Sequence, residues 1–68
     1  MRPPGRPRDA VREGEILRVV LSLLAESGIE GVTFEEVARR ARASKRTLYL
    51  RWSTKQEMVV AAIKAGPA

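Results

Sequence analysis

Between Val37 and Gln56 the sequence carries seven basic residues, Arg39, Arg40, Arg42, Lys45, Arg46, Arg51 and Lys55, and no acid. Hydroxyls are interleaved with them at Ser44, Thr47 and Tyr49. Guanidinium, ammonium and hydroxyl groups are the donors that phosphate oxygens accept from, and Arg is the side chain best shaped to read guanine edges. The stretch just before, Glu26 to Glu36, holds four acids and no base, so positive charge is focused on one part of the chain. Over 68 residues the balance is 13 Lys and Arg against 8 Asp and Glu, a net charge of +5. Such an excess points to nucleic acid or to an anionic membrane surface as partner.

Other chemistry has little to work with. With neither Cys nor His, disulfides, thiolate metal sites and the commonest general base are excluded. No nucleophile–base pair or metal cluster is evident, so no enzymatic activity, metal or cofactor is expected. The longest apolar runs, Val19 to Leu21 and Met58 to Ile63, fall far short of the roughly 20 residues that span a bilayer. The N-terminus has no apolar segment after its basic residues, so it is not a signal peptide, and a cytoplasmic location is expected. A membrane-surface helix would carry its charge along one amphipathic face, whereas here the basic cluster spans a turn.

The donors need elements to position them. Residues 1–8 are Pro-rich with three Arg and read as a flexible basic arm. Beyond it the pattern is helical throughout. The first helix is expected to begin between Asp9, a candidate N-cap, and Glu15, because Gly14 costs about 1 kcal/mol inside a helix. Ile16, Val19, Val20, Leu23 and Leu24 form its amphipathic stripe, Leu17 and Leu21 lie beyond that stripe, and Gly28 closes it. Thr33 to Glu36 spells a capping box, with Val32 and Val37 as a hydrophobic staple. The second helix is about two turns long, with Val37, Ala38 and Ala41 inward. Arg42-Ala43 makes a tight link to Ser44, the N-cap of a third short helix ending near Trp52. Thr54 to Glu57 is another capping box, and a fourth helix runs from it to Gly66-Pro67.

Two short helices on a tight turn, with a longer one before them, make a helix-turn-helix over about 33–52. The fold class expected is all-α, a three-helix homeodomain-like bundle plus the start of a fourth helix. If Leu48 and Trp52 face the core, then at 100° per residue Arg46 and Leu50 point outward, with Thr47 and Tyr49 on the flanks. Lys45 and Ser44 stand at the N-terminal end of that outward face. An α-helix of this kind fits the DNA major groove.

Ile16-Leu17, Leu23-Leu24, Glu26, Gly28, Thr33, Val37-Ala38, Ala41, Ser44, Thr47-Leu48-Tyr49, Trp52 and Lys55 together resemble the N-terminal domain of the tetracycline-repressor (TetR) family, over residues 9–65. The densest part of the resemblance is Ser44 to Trp52 followed by Lys55. It implies a bacterial transcriptional regulator, a repressor, binding a palindromic double-stranded operator as a homodimer. It implies that Lys45, Arg46 and Leu50 occupy base-reading positions. Thr33, Ser44, Thr47, Tyr49, Arg51 and Lys55 would contact phosphates. Gly5-Arg6-Pro7 resembles the core of an AT-hook, so Arg6 and Arg8 would reach a minor groove from the arm. A small-molecule ligand would act only through the family's C-terminal domain, which has no counterpart among these residues.

The sequence departs from the family at three positions. Arg42 stands where a turn Gly is usual, and if its φ is positive it carries about 1–2 kcal/mol of strain. Arg46 replaces another common Gly, and Arg51 a common His. All three add positive charge, which implies tighter attraction to a DNA backbone. The alternative is a protein-interaction or self-association helical module with incidental basic charge. Its motivation is the apolar surplus at Leu17, Leu21 and from Met58 to Ile63, which a three-helix core would not cover.

Overall fold

A computed structural model describes residues 8–66. Arg6 and most of the basic arm lie outside them. Helix α1 spans Arg8–Ser27, a short 3-10 turn spans Ile29–Gly31, and α2, α3 and α4 span Phe34–Ala41, Lys45–Arg51 and Lys55–Ala65. The described residues contain no strand, in keeping with an all-α helix-turn-helix bundle.

Each short helix starts where a hydroxyl satisfies an orphan N–H. Thr33 Oγ1 accepts from the Glu36 amide at 3.0 Å, Ser44 Oγ from Thr47 at 3.0 Å, and Thr54 Oγ1 from Glu57 at 3.2 Å. The reciprocal halves of the two capping boxes differ from expectation. Glu36 turns its carboxylate to Arg39 and Arg40 instead of back to Thr33, because two guanidiniums compete for it. Glu57 does reach back, but to the Ser53 amide at 2.9 Å, one residue beyond the cap.

Helix α1 is already under way at Arg8, ahead of the expected start. The modest penalty of Gly14 is outweighed because the turn around it has tertiary partners. The Arg12 guanidinium donates to the Arg42 carbonyl, and Glu13 accepts from Arg51 at 2.9 Å. At its other end Gly28, with φ 75°, closes α1 through its amide to Leu24 O at 2.9 Å.

The turn between α2 and α3 is a Schellman closure. The Ala43 amide donates to Ala38 O at 2.9 Å and the Arg42 amide to Arg39 O at 3.4 Å, with Arg42 left-handed at φ 57°, ψ 43°. Glycine takes this conformation freely, whereas Arg pays about 1–2 kcal/mol for it. Arg42 is the sole non-Gly residue with positive φ among the described residues.

The core is one cluster: Ile16, Leu17, Val20 and Leu23 of α1, Val32, then Val37, Ala38 and Ala41 of α2, Leu48 and Trp52, and Met58, Val59 and Ala62 of α4. Val19 and Leu24, expected on the inward stripe, are only partly buried, and Leu17 is fully in the core. The stripe is centred slightly differently because α1 packs against α4 even more extensively than against α2. The fourth helix is thus a full member of the core and not an appendage. What remains of the apolar surplus is Val60 and Ile63, each about half exposed.

Two glycines test this packing. A Cβ at Gly14 would meet nothing within 4 Å, so Gly14→Ala should stabilise the chain by about 1 kcal/mol. A Cβ at Gly31 would fall 2.2 Å from Ser27 Cβ, so Gly31→Ala should destabilise by roughly 1–3 kcal/mol as the 3-10 turn is pushed off α1. Urea midpoints of the two variants should move in opposite directions; a shift of the same sign in both would contradict the packing described.

Candidate nucleic-acid interface

Helix α3 is seven residues long and is set by its inner face. Leu48 has no exposed surface and Trp52 is buried, while Arg46 and Leu50, at opposite phase, face outward; Leu50 is 75% exposed. Lys45 is exposed beside them at the helix start. Burying a leucine such as Leu48 contributes roughly 1.5–3 kcal/mol, comparable to everything the caps of so short a helix supply.

The flanks are organised by contacts. Tyr49 stacks on Phe34, the first residue of α2, with ring centroids 4.3 Å apart and planes 26° apart. The ring is held while more than half the residue stays exposed, so the phenol is presented outward from a fixed base. Thr47 and Ser44 share a hydroxyl–hydroxyl hydrogen bond of 2.9 Å. Two hydroxyls sharing one bond leave one O–H proton to offer outward, whichever of them donates. Thr33 keeps its own O–H, since as a cap it only accepts.

The seven cations of the basic stretch fall into two groups. Arg40 makes a two-pronged bond to Glu26 at 3.0 and 3.1 Å and a third to Glu36 at 3.2 Å, tying α2 to α1. Arg39 pairs with Glu36, and Arg51 with Glu13. Lys55 donates to the Ile29 carbonyl at 3.0 Å. Four of the seven are therefore engaged within the fold. The side chains of Arg42, Lys45 and Arg46 meet no acceptor among the described residues and are exposed. Three of the seven meet carboxylates, so the charge of this stretch without a counter-ion is narrower than the sequence count implied: it lies on Arg42, Lys45 and Arg46, and on Lys55, whose bond is to a neutral carbonyl.

Of the expected site residues, Lys45, Arg46, Thr47, Tyr49 and Leu50 share the outer side and flanks of α3, with Ser44 at its cap. Thr33 begins α2, Lys55 begins α4, and Arg51 ends α3 with its guanidinium held by α1. Arg8 is the first residue of α1. Three participants were not anticipated. Phe34 seats Tyr49, and Arg12 and Glu13, consecutive on α1, hold the chain just before α3 and at its end. Phe34 is the chain's one Phe, directly after a cap, which was a usable signal; the acid opposite Arg51 lies 38 residues away, and no local pattern marks it. Among the described residues no group of three His, Cys, Asp or Glu is placed to hold a metal ion.

The profile of the tetR family of bacterial regulatory proteins matches residues 16–62. The chain is 48% identical over 65 residues to an uncharacterized HTH-type transcriptional regulator of Mycobacterium tuberculosis, covering 90% of this chain and 32% of that protein. A second HTH-type regulator, from Bacillus subtilis, is 41% identical over 56 residues, covering 82% of this chain and 28% of its own length. A protein of Mycobacteroides abscessus named DNA-binding transcriptional repressor TetR is 39% identical over 61 residues, again 90% of this chain and 32% of that one. The chain therefore spans about a third of the length of these relatives. No solved structure gives a significant match.

The carboxylates that hold α2 respond to acid. The hydrogen bond from Arg39, reinforced by Arg40, keeps the Glu36 carboxyl below its ordinary value of 4.5, and the bond from Arg40 does the same for Glu26. A depressed carboxylate stabilises the fold fully above its unfolded value, and that contribution drains away as pH falls through the folded value. These groups are exposed, so the effect is modest. Melting temperature should fall between about pH 5 and pH 3, and the Glu26→Gln/Glu36→Gln double variant should show a visibly smaller fall. Parallel falls in the two proteins would mean that the pairs contribute nothing.

Proposed function

The chain belongs to the tetR family of bacterial regulatory proteins, and from that we propose that it is a DNA-reading domain that binds double-stranded operator DNA with α3 in the major groove. The observation that carries this is the outer side of α3, where Lys45 and Arg46 stand without internal partners beside the exposed Leu50. Arg46 donates two hydrogen bonds to guanine O6 and N7, Lys45 reads an adjacent acceptor, and Leu50 meets a thymine methyl. Tyr49 and Thr33 offer hydroxyl protons to phosphates on either side, and Ser44 and Thr47 offer the one proton left between them. Lys55 has three donors and one is taken by Ile29, so two remain for a phosphate. Arg51 orients α3 through Glu13 and adds to the phosphate field. Arg6 and Arg8 approach the neighbouring minor groove.

The protein is not an enzyme and acts in the cytoplasm, on the nucleoid. In keeping with the name of its Mycobacteroides relative, it represses transcription. Two copies bind a palindrome with half-sites about one helical turn, or a multiple, apart. Ligand response and stable dimerisation belong to the remaining two thirds of the length seen in relatives.

Selection of bound duplexes from a random pool tests the proposal and should yield an enriched half-site. Arg46→Ala should relax the preference at one base pair, losing roughly 1–3 kcal/mol of discrimination there. Lys55→Ala should weaken selected and random duplexes about equally and lower the salt slope by about 0.9. A pool that returns no motif, or a motif untouched by Arg46→Ala, would remove Arg46 from base reading.

A further inference from the structure

We propose that Arg42, in the turn ahead of α3, grips a DNA phosphate, and that the strained backbone at this position serves to present it. The proposal rests on the DNA-binding function argued above and adds a contact to it.

The backbone at Arg42 is left-handed, a conformation that favours glycine. The Schellman closure requires that conformation whatever the side chain, since the amides of both Arg42 and Ala43 are tied to α2 carbonyls. Glycine would close the turn without strain, and the chain carries a long cation there instead. A residue held in a sparsely populated backbone region by its surroundings is a mark of function. The surroundings here are explicit: Arg12 of α1 donates to the Arg42 carbonyl, so the turn is gripped from both sides and its side chain leaves from a fixed point.

The guanidinium is what distinguishes this residue from its neighbours. Arg39 and Arg40, three and two positions earlier, are both held by carboxylates. Arg42 is exposed and meets no acceptor among the described residues. It shares this state with Lys45 and Arg46, which follow within four residues. An exposed guanidinium with all its donors available, beside two other unneutralised cations, suits the planar two-pronged binding of a phosphate. No base-reading role is required, since the residue precedes the helix that enters the groove.

Three substitutions separate strain from charge. Arg42→Gly removes both, Arg42→Ala removes charge and keeps most of the strain, and Arg42→Lys keeps both. Each is measured by thermal melting and by binding to a mixed-sequence duplex over a range of salt. Arg42→Gly should melt about 4–8 °C higher, yet bind on the order of eightfold more weakly at 0.1 M salt, with a salt slope shallower by about 0.9. Arg42→Ala should show the shallower slope without the gain in melting temperature, and Arg42→Lys should keep the original slope. If Arg42→Gly and Arg42→Ala leave the slope unchanged while Lys45→Ala lowers it, the phosphate contact is refuted and the DNA-binding function stands. If none of these variants, nor Arg46→Ala, alters duplex binding, both fall together.

Discussion

A helix of seven residues does not hold itself in water; isolated helices need roughly twice that length even to be marginal. Everything about α3 follows from this. Its existence depends on Leu48 and Trp52 being pressed into a core built by α1, α2 and α4. Its start depends on Ser44, and its pose on two adjacent residues of α1, Arg12 before it and Glu13 at its end. The element that reads DNA in the proposed function is therefore the one with the least stability of its own. The rest of the fold is largely a mount for it.

Charge is distributed by the same logic. Acids of α1 and of the first turn of α2 engage those cations that would otherwise scatter the positive field. Arg40 joins α1 to α2 through Glu26, Glu36 takes Arg39 as well, and Glu13 takes Arg51. Exposed pairs of this kind contribute little to stability. Their larger effect is to leave Arg42, Lys45 and Arg46 as the cluster of cations without a counter-ion at the turn and the start of α3. A narrow patch orients a charged partner, where a diffuse one would only attract it.

What could be read from the residue order was what is decided locally. The three hydroxyl caps each act on the amide three residues on, so Thr33, Ser44 and Thr54 announce their helices without reference to the rest of the chain. The inner face of α3 followed from spacing alone, because Leu48 and Trp52 are one helical turn apart. The start of α1 is not legible locally, because Gly14 is unfavourable there while the contacts that override it come from residues 30 and 38 positions away. Which members of the basic stretch are paired is hidden from the residue order for a related reason: which cations meet an acid depends on how helices cross. The Tyr49–Phe34 stack was hidden likewise, since it joins two helices whose angle no local pattern fixes. The left-handed turn was legible only through a resemblance in which glycine is usual.

The aromatic inventory is one Trp, one Tyr and one Phe. All three bear on α3: Trp52 caps its end, with its amide on Leu48 O at 2.8 Å, while Tyr49, within the helix, rests on Phe34 of α2. The chain thus carries a single indole fluorophore, and it is seated where the least self-sufficient helix meets the core. Emission from that indole reports on the seating of α3 and on little else. An intrinsic optical gauge of the reading element, without any attached dye, is a by-product of how that element is kept in place.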